Sequence, residues 1–131
     1  MIYLDSSALL KLLFEEDESA ALERWMSERA GAPTLSSELA KVEVVRATRR
    51  LDTDAVPAAR ALVSQLDLIP LSGGLIDAAV DAGGPALRTL DALHLASALS
   101  IRTELTAFVA YDNRLIAAAE AAGLEPTRPC C

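Results

Sequence analysis

The chain predicts an α/β fold in which a parallel sheet is covered by helices on both faces. Three observations carry that expectation. Short apolar runs (IYL at 2–4, DLIPL at 67–71, TAFVAY at 106–111) alternate with longer segments of helical periodicity, the pattern of βαβ units. The apolar fraction is 52%, much of it alanine and leucine, while aromatic residues make up 4%, so packing must come from aliphatic layers against helices. The length of 131 residues, with no internal repeat, low-complexity segment or long linker, suits one domain spanning 1–131.

Residues 2–4 form a short buried strand. Asp5-Ser6-Ser7 then offers side-chain oxygens to cap the helix ALLKLLF. A second helix covers about 18–29, with Ala21, Leu22, Trp25 and Met26 along one side, and Gly31-Ala32-Pro33 breaks it. Thr34-Leu35-Ser36 is a very short strand. A helix runs over 37–51, and Pro57 lies in the first turn of the next, which continues to Leu66. Residues 67–71 read as a strand, with Pro70 pointing to a sheet edge. Helix 73–80, the loop Gly83-Gly84-Pro85 and a strongly apolar helix over 89–101 come next. The clearest strand, 106–111, is closed by Asp112. Helix 113–122 ends at Gly123, which fits a C′ position, and Leu124-Glu125 is a candidate last strand.

The net charge is −7 and the isoelectric point about 4.6. This counts against broad, non-specific nucleic-acid binding and favours a basic partner. No apolar run approaches the roughly 20 residues that span a bilayer. The N-terminus lacks the basic start and cleavage site of a secretory signal, so the expected location is cytoplasmic. The adjacent Cys130 and Cys131 cannot staple a core. They are too few for a zinc site, and they read as a poorly ordered tail.

Four acids stand out because each lies in a largely apolar stretch: Asp5, Glu43, Asp91 and Asp112. Carboxylates are seldom buried without a positive partner. Four converging on one place would repel until a cation arrived, and oxygen-only ligands suit Mg²⁺ or Mn²⁺. Each also has a plainer reading. Asp5, Asp91 and Asp112 lie near helix starts, where acids cap free amides. Glu43 is mid-helix, where it could be solvated or paired with Arg46. In open α/β sheets, however, ligands bind beyond the carboxyl ends of strands, and Asp5 and Asp112 both lie there. Ser6 and Ser7 are caps or hydroxyls that orient an acid. His94, the lone histidine, lies one turn after Asp91; it is expected in the core, bonded to a neighbour, with a general base as the alternative. Arg46, Arg49, Arg50 and Lys11 could steer a phosphate backbone or simply be solvated.

The blocks MIYLDSSALLKL, ELAKVEVVRATRR, LRTLDALHLASAL and FVAYDNRLIAAAEAAGL, in that order and spacing, resemble the PIN-domain ribonucleases. They are most similar to the toxins of VapBC toxin–antitoxin pairs, and the resemblance spans nearly the whole chain. It implies a three-layer α/β/α sandwich around a parallel sheet of four or five strands. Asp5, Glu43, Asp91 and Asp112 fall on the family's acidic positions, and Ser7 on a small hydroxyl position near the first of them. The chain departs from the family at Ala110, where a hydroxyl residue two positions before the fourth acid is usual. That departure weakens the case for Asp112 more than for the others.

The resemblance also implies an endoribonuclease that uses Mg²⁺ or Mn²⁺, held by Asp5, Asp91 and Asp112 with Glu43 direct or through water. Water would attack phosphorus in line, leaving 5′-phosphate and 3′-hydroxyl ends. It implies structured RNA such as transfer or ribosomal RNA as target, arrest of translation, a homodimer, and a VapB-type antitoxin that blocks the acids with a basic side chain. A haloacid-dehalogenase phosphatase would need a second acid where Ser7 stands, and a receiver domain would need paired acids by the first strand. The remaining alternative is a catalytically weak or inactive PIN domain that serves as an interaction module.

Overall fold

The computed structural model describes residues 1–130. The first strand, β1 (Ile2–Leu4), leads into α1 (Ser6–Leu13) and α2 (Ser19–Ser27). β2 (Thr34–Ser37) feeds α3 (Glu38–Leu51), and a single 3₁₀ turn (Thr53–Ala55) joins it to α4 (Val56–Ser64). β3 (Asp67–Ile69) precedes α5 (Gly73–Asp81) and α6 (Thr89–Ser100). β4 (Ala107–Val109), α7 (Asn113–Ala121) and β5 (Pro126–Thr127) complete the described chain.

The sheet has five strands in the order β3-β2-β1-β4-β5, and every neighbouring pair is parallel. Alternation along the strands divides the core. Ile2, Leu4, Ala107, Val109 and Tyr111 pack with α1, α2, α3 and α4. Tyr3, Phe108 and Ala110 pack with Leu95 and Ala98 of α6 and Leu115 and Ala119 of α7 on the other side. Helices therefore cover both faces, giving the three layers that the sequence implies. Tyr3 and Phe108 stack at 5.4 Å between ring centroids; they are the two large aromatic side chains fully buried in this aliphatic core.

Topology decides where a site can form. The chain leaves β1 to build β2 and β3 on one side, and later returns to β1's other side with β4 and β5. The switch point thus lies between β1 and β4, and a crevice opens there at the strands' carboxyl ends. Asp5 and Asp112 flank that crevice.

Several boundaries differ from expectation, among them the strand expected over 106–111, which spans only Ala107–Val109. The last strand is 126–127 and not 124–125. Gly123, at φ +90°, donates its amide to Glu120 O, and Leu124 donates to Ala119 O. This closes α7 with a Schellman motif, so the Leu124 amide is spent on the helix and pairing with β4 starts later. β3 stops at Ile69 because Pro70 has no amide to donate; its edge position is as expected. The segment before the cysteines is tied down and not loose: Tyr111 Oη donates to Pro129 O at 2.8 Å, and Arg128 bonds Glu18 at 3.1 Å and Asn113 at 2.7 Å. Cys130 is exposed; Cys131 lies outside the described residues.

Candidate active site

Asp5 is 4% exposed and caps α1. Its Oδ1 accepts from Ala8 N at 2.9 Å and from Ser7 Oγ at 2.7 Å. The same Ser7 hydroxyl accepts from Tyr111 N at 3.2 Å, so it ties the first acid to the end of β4. Capping occupies one oxygen; among the described residues nothing bonds Oδ2. Burial pushes the Asp5 carboxyl up, and Asp91 adds to the rise. His94, Ser7 and the Ala8 amide pull the other way without overcoming it.

Glu43 reaches the crevice from the middle of α3. Its Oε1 accepts from Ser6 Oγ at 2.6 Å and meets His94 Nε2 at 2.7 Å. Arg46, one turn on, is not its partner. Burial works to raise this carboxyl, but the hydrogen bond and field of His94, with the Ser6 hydroxyl, outweigh it and hold it below the usual range. His94 is a core side chain, 1% exposed, and its Nδ1 bonds Tyr3 Oη at 2.7 Å. The phenol of Tyr3 is itself raised by burial and by Asp5. A chain of hydrogen bonds therefore runs from the core at Tyr3 through His94 to Glu43.

Asp91 lies in the first turn of α6, but its side chain does not cap that helix: the N-cap position is Arg88, with no side-chain cap bond. Asp112 does cap α7, accepting at Oδ1 from Arg114 N at 2.9 Å and Leu115 N at 3.1 Å. Arg88 joins the two acids. Its Nε is 3.3 Å from Asp91 Oδ2 and its Nη2 3.1 Å from Asp112 Oδ2. Burial raises Asp91; Arg88 opposes that, and Asp112 adds to it. Ala110 does not leave Asp112 loose, because two amides and a guanidinium hold it.

Three of the acids are linked in series, since Asp5 feels Asp91 and Asp91 feels Asp112, while Glu43 is tied to them through His94, which acts on Asp5, Glu43 and Asp91 alike. The donors are hard carboxylate oxygens, which fit Mg²⁺ or Mn²⁺ in kind. Among the described residues, no three acid, histidine or cysteine side chains are grouped as a ready metal cage. Arg88 meets Asp91 and Asp112 where a cation would. Asp5 Oδ2, Glu43 Oε2 and Asp91 Oδ1 remain without a partner among the described residues. Mg²⁺ commonly takes one or two carboxylates and completes its shell with water and phosphate, so three open oxygens suffice in number. Sequence reasoning missed Arg88 and Tyr3. Arg88 was detectable from its place three residues before Asp91 in the same helix start. Tyr3 had no signal apart from the fold.

A parallel five-stranded sandwich with acids at its central switch point defines a class, and residues 2–121 match the family model of the PIN domain. The chain belongs to the PIN-domain family. It is 40% identical over 132 residues to ribonuclease VapC47 of Mycobacterium tuberculosis (strain CDC 1551 / Oshkosh), covering 98% of this chain and 97% of that protein. It is 41% identical over 131 residues to ribonuclease VapC35 of Mycobacterium tuberculosis (strain ATCC 25618 / H37Rv), with the same coverage. Among solved structures, VapC20 of Mycobacterium tuberculosis, a toxin that cleaves the sarcin–ricin loop, superposes with a TM-score of 0.74. That match has 20% identity and covers 98% of this chain and all of the other. The resemblance to VapC toxins read from the sequence holds over nearly its whole length.

Proposed function

We propose that this protein is an endoribonuclease toxin of a VapBC-type pair, with Asp5, Glu43, Asp91 and Asp112 as its catalytic acids. The observation that supports the reading is that Asp5, Asp91 and Asp112, distant in sequence, act on one another in series, with Glu43 joined to them through His94. Relatives named as ribonucleases along the full chain support it. Asp5, Asp91 and Asp112 would hold Mg²⁺ or Mn²⁺, with Glu43 direct or through water. When bound, such an ion lowers the pKa of a water and offsets the charge of the phosphodiester.

The chain's own residues do the rest. Ser7 and the Ala8 amide fix Asp5 through one oxygen and leave the other available. Ser6 and His94 fix Glu43 in the same way, and Tyr3 sets the orientation of His94. Arg88, exposed on its solvent side, must release Asp91 and Asp112 for them to serve as ligands. Attack of water on phosphorus breaks the bond to the ribose 3′ oxygen, giving a 5′-phosphate and a 3′-hydroxyl. Structured RNA is the proposed substrate, with arrest of translation as the consequence. A basic VapB-type antitoxin is the proposed partner, binding near the acids, and the toxin acts as a homodimer in the cytoplasm.

The test is mapping of RNA 5′ ends after brief expression. Wild type should create new 5′-phosphate ends at a few sites in structured RNA, and Asp5→Ala should create none while remaining folded. The same cleavage map from both proteins would overturn the assignment.

A further inference from the structure

One of the acids, Glu43, opens onto a groove along α3. Ser6 and Glu43 form its inner end, Val42 and Leu90 line it, and Arg46 and Arg50 continue it outward. A second concavity, formed by Arg46, Arg49, Arg50 and Thr53, adjoins it. Glu43, Arg46 and Arg50 stand at i, i+3 and i+7 of one helix, hence on one face. At 1.5 Å per residue, Arg50 is about 10 Å from Glu43 along the axis. In a chain of net charge −7, three neighbouring arginines need an explanation. None of them forms an ion pair with a described residue. Val42 is 55% and Leu90 47% exposed. The groove therefore has apolar sides, guanidinium groups free to meet anions, and an end at a proposed catalytic acid.

We infer that this groove is the track for the RNA strand flanking the scissile phosphate, with Arg46 and Arg50 pairing to successive backbone phosphates. The inference rests on the ribonuclease reading of the acids. The chemistry follows from the residue types. A guanidinium forks onto phosphate oxygens, and backbone contacts position a nucleic acid without reading its sequence. The aliphatic side chains suit ribose and base faces, in the absence of a stacking platform of aromatics. The groove also places its positive charge on one side of the acids. A strand can then be held while its scissile phosphate lies over the carboxylates.

The test is fluorescence anisotropy with a 12-nucleotide single-stranded RNA across a salt series, with EDTA present to hold off cleavage. Hydrolysis of bis(p-nitrophenyl) phosphate with Mn²⁺ is followed in parallel, because that diester is too small to reach Arg50. Each phosphate contact on a single strand contributes about 0.7 to the slope of log affinity against log salt. Arg46→Ala/Arg50→Ala should therefore flatten the slope by about 1.4. Taking equal affinity at 1 M, this weakens binding at 0.1 M salt about 25-fold. Arg46→Lys/Arg50→Lys should keep the slope, because the charge stays. Arg24→Ala/Arg60→Ala, the same change of net charge away from the groove, should leave it near wild type. Hydrolysis of the small diester should be unaltered in Arg24→Ala/Arg60→Ala, and in wild type it reports whether the acids are active.

An unchanged slope in Arg46→Ala/Arg50→Ala, with the small diester still hydrolysed by wild type, overturns the track and leaves the nuclease reading intact. Unchanged RNA binding with loss of antitoxin binding reassigns the groove to the protein partner, and also overturns the track. A wild type that neither binds RNA nor hydrolyses the diester overturns both.

Discussion

Asp5 divides its two oxygens between structure and proposed chemistry, and that division makes a prediction about stability. Its folded pKa is raised, first by burial, so between the unfolded value near 3.9 and the higher folded one the native state binds more protons than the unfolded chain. Stability then falls as pH rises through that window, and the cost persists at neutral pH. Asp91 acts in the same direction. Glu43, held down by His94 and Ser6, acts oppositely and loses its contribution as pH falls. Asp5→Asn keeps the acceptor for Ser7 and Ala8 but removes the charge. In metal-free protein at pH 7 it should raise Tm by roughly 3–5 °C, the shift for about 1 kcal/mol in a domain of this size, measured by calorimetry. A lowered Tm would contradict the burial account.

Arg88 supports a second prediction at the same scale. It pairs with two acids through an exposed side chain, and such pairs are worth about 0.2–1 kcal/mol each. Arg88→Gln should tighten Mn²⁺ binding, read by titration calorimetry, on the order of tenfold. All four acids were legible as candidates because charge within apolar sequence is conspicuous. Their supports were less so. Ser6 and Ser7 could be seen as hydroxyls that cap or orient, but which acid each serves depends on how α3 and β4 dock. The suggested Glu43–Arg46 pair failed for the same reason: local helix spacing cannot anticipate a histidine 51 residues away.

At the scale of elements, the helices were legible wherever a cap or breaker marked them. Asp5 caps α1 through Ala8 N, Pro57 sits in the first turn of α4, and Gly123 closes α7. Strands were less legible at their ends. In a sheet with strands of two to four residues, pairing is set by the neighbour and not by propensity. β5 shows this, since the Schellman closure of α7 consumes the Leu124 amide first. That closure needs a left-handed residue, and Gly123 supplies it. A Cβ there would also approach Arg102 Nη2 to 3.0 Å. Gly123→Ala should destabilise the protein by about 1–2 kcal/mol, the cost of a left-handed non-glycine residue, seen as a lower midpoint in urea. An unchanged midpoint would remove the motif from the account of how β5 is placed.

For the whole molecule, the strand order matters more than any single element, because it sets β1 beside β4 and so brings residue 5 to residue 112. That order could be expected from the family resemblance but not from periodicity, which gives alternation without saying which strands are neighbours. No described helix is long and apolar enough to cross a membrane. Ile76 and Val80 of α5 remain exposed, the latter at 79%. The proposed homodimer needs apolar surface of this kind. If the dimer uses it, Val80→Glu should shift light-scattering mass from dimer to monomer; a dimer unaffected by the change would place the interface elsewhere.

The central claim is that the crevice between β1 and β4 gathers its carboxylates around a divalent cation. The most direct measurement is Mn²⁺ titration by calorimetry of wild type and of Asp5→Asn, both confirmed as folded. Wild type should bind the ion, and loss of one charged ligand should weaken that binding at least about tenfold, by comparison with the losses seen when metal-site supports are removed. Equal binding by the two proteins, or none by wild type, would contradict the claim.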